Sequence, residues 1–306
     1  MAIKTFSENT QEQGMKTLTL KTSVGELAAN LYLPEGESKD LPLAIVTGAW
    51  TTVKEQMPAT YAKALAEQGF AALTFDFRGW GQSADSVRYL EDPARKTADI
   101  AAVIDALADQ SFDEFADIDT SRIYGLGICA SAGYMLDAVN HNSKVKAAAV
   151  VAPWLHDREL ANAIYGGEES VNGLIKAGEE AAASAESVLI EAASSRNENS
   201  LMYQAPYYTE ADRGLIPEYD NQFNVASWKP WLTYNALAHA GKQDKPVLMV
   251  ASESMALPDG AKKYLELSGD HVKAQWLADI TQFDFYDVAE PVSQAVNSVV
   301  QHFNAN

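Results

Sequence analysis

The strongest constraint in this chain lies at residues 121–134, where a short apolar run meets a run suited to helix. Ser121 to Gly127 reads as a buried strand, and Ser131 onward reads as a helix. Between them sits Gly127-Ile128-Cys129-Ala130-Ser131. A tight turn from strand to helix needs small neighbours, because its central side chain stands on a strained backbone at the tip of a sheet. The helix that follows aims free backbone N–H groups and the positive end of its dipole at that tip. Such a field favours thiolate over thiol, so Cys129 is a candidate nucleophile. The competing reading is a lone cysteine buried as a small hydrophobe.

The chain has 306 residues, enough for one large α/β domain with an insertion or for two domains. Hydrophobic residues make up 47 %, which supports a sizeable core. The net charge of −19 argues against nucleic acid and anionic membranes as partners, since both demand a basic face. A single cysteine forbids an intrachain disulfide and suits a reducing cytoplasm. The first ten residues have no apolar run after their one lysine, so no secretory leader is expected. No apolar stretch is long enough to span a bilayer.

Residues 1–15 are polar and read as a loose arm. Residues 17–21 and 26–33 read as antiparallel edge strands. Buried strands are predicted at Leu43 to Thr47, Ala71 to Asp76, Val145 to Ala152, Pro246 to Ser252 and Val272 to Leu277. Helices are predicted at Glu55 to Gln68, closed by Gly69, and at Pro93 to Asp109, Asp259 to Leu267 and Val288 to Phe303. Short apolar strands alternating with helices imply βαβ units and a mostly parallel, doubly wound sheet.

The rhythm breaks at Pro153. Residues 154–230 contain no convincing buried strand, and Gly178 to Ala193 is Ala/Glu-rich and reads as helix. Beyond Asn199 aromatic residues crowd together, from Tyr203 to Trp231. Such an insertion suggests a lid over the carboxyl edge of the sheet, where α/β folds bind ligands. Trp154, Tyr207 and Tyr208 are candidates to face the pocket, most other aromatics packing the lid's own core. The expected division is a core of residues 1–153 and 231–306 with a cap of residues 154–230.

With these elements in place, the chain resembles an α/β-hydrolase of the branch near dienelactone hydrolases and the polyketide-transferase-like hydrolases. The residues that carry the resemblance are Val53-Lys54-Glu55-Gln56 and the run from Gly69 through Phe75-Asp76-Phe77-Arg78-Gly79-Trp80-Gly81-Gln82-Ser83. Arg88, Glu91-Asp92-Pro93 and the elbow Gly127 to Tyr134 complete it. The resemblance implies that Cys129 takes the nucleophile's place on a strand–turn–helix elbow. The backbone N–H groups of Ala130 and Trp50 would then form the oxyanion hole.

Two departures stand out. Relatives usually have His followed by Gly or Pro and then an aromatic residue after the first buried strand, where this chain has Thr47-Gly48-Ala49-Trp50. Near the C-terminus relatives carry a pattern like Thr-His-x-Asp-x-Tyr-Asp, and this chain reads Thr281-Gln282-Phe283-Asp284-Phe285-Tyr286-Asp287. Gln282 therefore falls on the triad histidine. An amide is no general base at neutral pH. A cysteine tolerates that loss better than a serine, because a fall of about 2 units would already make it mostly thiolate.

Three groups are candidates to replace the histidine. His156 lies just past a strand end, with Asp157 beside it. Glu253 follows the strand ending at Ser252, where the fold's acid usually sits. Glu55 is the third, set against pairing with Lys54 or Arg78, and Glu55 and Arg78 are also pocket candidates. His141, His239, His271 and His302 read as structural. No cluster has metal-ligand spacing and no glycine run fits a nucleotide, so no metal or cofactor is expected.

The leading expectation is a hydrolase or acyl transferase that acts on a small to medium ester, thioester or lactone through a Cys129 acyl-enzyme. The alternatives are a non-catalytic small-molecule binder on a hydrolase scaffold, or a lyase or decarboxylase reusing the oxyanion hole. The expected partner is a small molecule, with a homodimer left open.

Overall fold

The computed structural model describes residues 14–36, 38–109 and 113–306. Most of the expected N-terminal arm therefore lies outside the described residues. The chain runs β1 (Met15–Thr22), β2 (Gly25–Tyr32), β3 (Leu41–Thr47), α1 (Met57–Glu67), β4 (Ala71–Phe75), α2 (Pro93–Asp109), β5 (Ile118–Ile128), α3 (Ser131–Val139) and β6 (Val145–Val151). Then come α4 (Arg158–Ile164), α5 (Glu168–Ala182), β7 (Leu189–Glu191), β8 (Ala193–Ser194), β9 (Met202–Tyr203), α6 (Pro206–Thr209), β10 (Gln222–Asn224) and α7 (Trp228–Thr233). The chain closes with β11 (Val247–Ser252), α8 (Pro258–Leu267), β12 (Val272–Leu277), α9 (Asp284–Asp287) and α10 (Ala289–Asn304).

Eight strands form one sheet in the order β1-β2-β4-β3-β5-β6-β11-β12. β1 pairs antiparallel with β2 and β2 with β4; every other pairing is parallel. α1 packs on α10 and α2 on α3, while α8 packs on β11 and β12. This is the doubly wound α/β sheet that the alternating apolar runs predict. The inner strands are buried along nearly their whole length, as strands covered on both faces must be. β1 is instead mostly exposed or half-buried, Leu20 alone being buried, because it lies at an edge.

The parallel strands end nearly level. Thr47 lies opposite Gly127, Ile128 opposite Val151, and Ser252 opposite Leu277. Loops leaving these ends collect at one edge, which is how residues far apart in sequence meet.

Residues 152–246 contribute no strand to the large sheet. They hold two small ribbons, β7 with β10 antiparallel and β8 with β9 parallel. The helix predicted over Gly178 to Ala193 is corrected here: α5 spans Glu168–Ala182, and Leu189–Glu191 is a strand. Ala and Glu favour helix locally, but the serines at 184 and 187 weaken it and Val188-Leu189-Ile190 prefers a pleated partner.

Gly127 shows how closely the elbow packs. A Cβ there would lie 2.7 Å from Ser131 O, 2.9 Å from Ala132 Cα and 2.9 Å from Met135 Cβ. Two of these are backbone atoms of α3, which cannot move alone. Gly127→Ala is expected to lower stability by about 1–3 kcal/mol, read as a lower urea midpoint; an unchanged midpoint would show that α3 shifts freely.

Candidate active site

Cys129 follows the last residue of β5 with φ +56°, a left-handed conformation that a non-glycine residue adopts only under strong constraint. The constraints are visible. Its N–H donates to Val151 O at 3.1 Å, and its carbonyl accepts from Trp154 N at 3.0 Å and Ala132 N at 3.1 Å. Ser131, fully buried, braces the turn from inside: its hydroxyl accepts from Thr47 Oγ1 at 2.9 Å and from Ile128 N at 3.1 Å.

Four donors reach the sulfur. They are the backbone N–H groups of Ala130 and Trp50, the Tyr286 hydroxyl and the Gln282 amide. Ala130 is placed by the elbow, whereas Trp50 is placed by a loop with its own bracing. Thr51, at φ +64°, donates its N–H to Glu91 Oε2 at 3.1 Å, and its hydroxyl meets Tyr219 Oη at 3.0 Å. The Glu91 carboxylate, fully buried, also takes Lys96 Nζ at 2.9 Å and Tyr134 Oη at 2.8 Å. It ties the Trp50 loop to α2 and to the elbow helix α3. Lys54 adds a second tie, bonding Asp76 through both its N–H and its ammonium at 2.8 Å.

Burial pushes the Cys129 thiol up to about 11, against the opposing pull of those four hydrogen bonds. The thiolate expected from the helix terminus is therefore corrected to a neutral thiol. Only 7 % of Cys129 is exposed, and desolvation of the charged form outweighs the donors.

Gln282 is held in one orientation. Its Oε1 accepts from Ala256 N at 3.0 Å, and its Nε2 donates to Ala152 O at 2.9 Å and to Tyr286 Oη at 3.1 Å. Both N–H groups of the amide are thereby engaged. Tyr286 is buried, and burial holds its phenol well above the usual range. Sequence reasoning passed over Tyr286 and gave Glu91 no role. The signal for Tyr286 was its place four residues after Gln282, which puts both on one side of a helical turn.

Several candidates stand elsewhere. His156 is fully buried with both ring nitrogens engaged: Trp154 Nε1 donates to Nδ1 at 3.2 Å and Nε2 donates to Trp231 O at 2.8 Å. Burial pushes it down to about 4, so it is a neutral packing residue rather than a base. Glu253 points to solvent, 68 % of its side chain exposed, and pairs with Lys262 Nζ at 2.8 Å. Glu55 pairs with Lys54 at 2.6 Å, and Arg78 pairs with Asp99 at 2.5 Å. Tyr207 is buried against Tyr208 and Tyr286, behind the cavity wall. None of these five residues lines the cavity at Cys129, whereas Trp154, Tyr208 and Gln282 do.

That cavity holds about 430 Å³. Its walls include Trp50, Trp154, Tyr165, Leu201, Met202, Tyr208, Trp231 and Phe283, and no charged side chain is among the residues lining it. Trp50 stacks on Trp231 with ring centroids 5.1 Å apart. Such a chamber suits an uncharged, largely apolar ligand. Among the described residues no group of three or more His, Cys, Asp or Glu side chains could hold a metal, and no helix is long and apolar enough to cross a membrane.

The family model described as "Serine aminopeptidase, S33" matches residues 10–204, with strands β1 to β6 and the elbow inside the matched span. The chain belongs to that α/β-hydrolase family. At the tip of its strand–turn–helix elbow stands a cysteine, Cys129. The uncharacterized protein YcjY of Escherichia coli is 27 % identical over 290 residues, covering 90 % of this chain and 93 % of its own. The solved structure of hypothetical protein PA2218 from Pseudomonas aeruginosa has a TM-score of 0.80 at 20 % identity, covering 97 % of this chain and 98 % of that one. The α/β hydrolase GrgF from Penicillium sp. sh18 has a TM-score of 0.78 at 18 % identity, covering 95 % and 98 %. These likenesses establish the α/β-hydrolase fold.

Proposed function

We propose that this family member takes an acyl group from an uncharged, apolar ester, thioester or lactone onto Cys129, as a hydrolase or acyl transferase. The observation that carries the reading is the convergence of the Ala130 and Trp50 N–H groups on one sulfur, inside a charge-free aromatic chamber. In the reaction the same two donors would hold the carbonyl oxygen as it gains charge. In this reading residues 154–230 act as a cap, since Tyr165, Leu201, Met202 and Tyr208 supply much of the wall. Gln282 stands where the superfamily's histidine would, so water lacks a base to activate it. The acyl-enzyme is then long-lived, and an acceptor other than water competes well. A reducing cytoplasm would keep the lone thiol available.

One observation favours a second reading, a non-catalytic binder: every group bonded to the sulfur is a donor. Intact-protein mass spectrometry with p-nitrophenyl hexanoate and a hexanoyl thioester separates the two. One acyl adduct on the wild type and none on Cys129→Ala is expected. No adduct on either, with saturable binding of apolar ligands by both, would leave the binder.

A further inference from the structure

Tyr165 follows the cap helix α4 and lines the chamber together with Trp231. Trp231 is buried and held by both ring and backbone. Its indole stacks on Trp50 with centroids 5.1 Å apart, and its carbonyl accepts from His156 Nε2 at 2.8 Å. Its Nε1 donates to the Tyr165 hydroxyl at 2.8 Å. The Tyr165 ring meets Trp228 edge-on, with centroids 5.6 Å apart. Rigid groups therefore fix the phenol oxygen in place.

That oxygen accepts from the indole, so the hydroxyl's own proton turns the other way. Among the described residues no acceptor takes it. Two other polar groups of the wall are spent. Trp154 Nε1 donates to His156 Nδ1 at 3.2 Å, and the Gln282 amide is bonded through its oxygen and its nitrogen. Trp50 Nε1 also lacks a partner, but that nitrogen is itself buried in the wall, out of a ligand's reach. Tyr165 is half-buried, and burial holds its phenol above the usual range. A desolvated hydroxyl without an acceptor is costly, and an oxygen on a bound ligand would remove that cost.

Resting on the acyl-transfer reading above, we infer that Tyr165 is a specificity-determining residue whose hydroxyl donates to an ether or carbonyl oxygen carried on the acyl group. The substrate is then an oxygen-bearing acyl ester, thioester or lactone and not a plain hydrocarbon one. Tyr165 stands on the cap and not on the elbow. The bond therefore falls along the acyl group rather than at the reacting carbonyl, whose oxygen goes to the N–H pair of Ala130 and Trp50. The substrate stays uncharged, as a lining without charged side chains requires.

Without a partner, an ether oxygen loses to a CH2 group in such a chamber, because it gives up water and gains nothing. The test is the acylation rate by intact-protein mass spectrometry, with p-nitrophenyl octanoate and its 4-, 5-, 6- and 7-oxa analogues, in which an ether oxygen replaces a CH2. On the wild type at least one oxa ester should outrun the octanoate by roughly tenfold. Tyr165→Phe should erase that ratio whatever it does to the absolute rates, since its ring refills the wall but offers no proton. Octanoate fastest on the wild type, or an equal ratio on both proteins, would overturn the role of Tyr165 and leave acylation standing. No adduct with any ester would sink the acyl-transfer reading alone. The preference is then read from the affinities of methyl octanoate and its oxa analogues, by tryptophan fluorescence on the same two proteins. A matching ratio there supports the Tyr165 bond, and its absence overturns it.

Discussion

If Cys129 carries an acyl group as proposed, Gln282→His is expected to speed its hydrolysis by roughly 10²-fold. Gln282 lines the same cavity as Cys129, so a ring at 282 would stand near the thioester carbonyl that water must attack. An amide cannot take the water's proton, whereas an imidazole can. The gain belongs at the low end of the range for a positioned base. Glu253, the carboxylate that would orient the ring, faces solvent and pairs with Lys262. Ala256 N–H and Ala152 C=O are left to set the tautomer. Adduct decay should rise with pH through the imidazole range near 6.5, since only the neutral ring accepts a proton. Decay that stays as slow as in the wild type at every pH would mean that a missing base is not what preserves the acyl-enzyme.

Legibility in the sequence followed the physics of each feature. The sheet was readable because strands buried on both faces must be continuously apolar, and Ala71–Phe75 and Val145–Val151 are. The elbow was readable because its sterics demand small residues at fixed spacing, which Gly127 and Ser131 supply. Trp50 was named as a donor only through the family resemblance after β3, since a backbone N–H leaves no mark in a sequence. What failed were statements about side-chain direction. His156 and Glu253 both follow strand ends at the right edge, yet one turns into the core and the other into water. Tyr286 was hidden for the converse reason: a tyrosine in a helical turn looks like packing until the sulfur is seen beside it. The state of the thiol was misjudged because a helix terminus can be read from sequence, whereas the burial that opposes it comes from Trp50, Tyr208 and Trp231, brought together only by folding.

Alkylation of Cys129 by iodoacetamide is expected to climb about tenfold per pH unit from 7 to 10 without levelling, a total of about 10³-fold. The reagent is small and uncharged, so its access to the chamber does not change with pH, and its rate tracks the thiolate fraction. A thiol raised to about 11 is almost wholly protonated throughout that range. A plateau below pH 9 would mean that the four donors win over burial after all. The same shift has a sign for stability. The unfolded thiol loses its proton before the folded one, so between about 9 and 11 the unfolded state binds fewer protons and stability falls as pH rises. At neutral pH the buried Cys129 is thus held as the thiol.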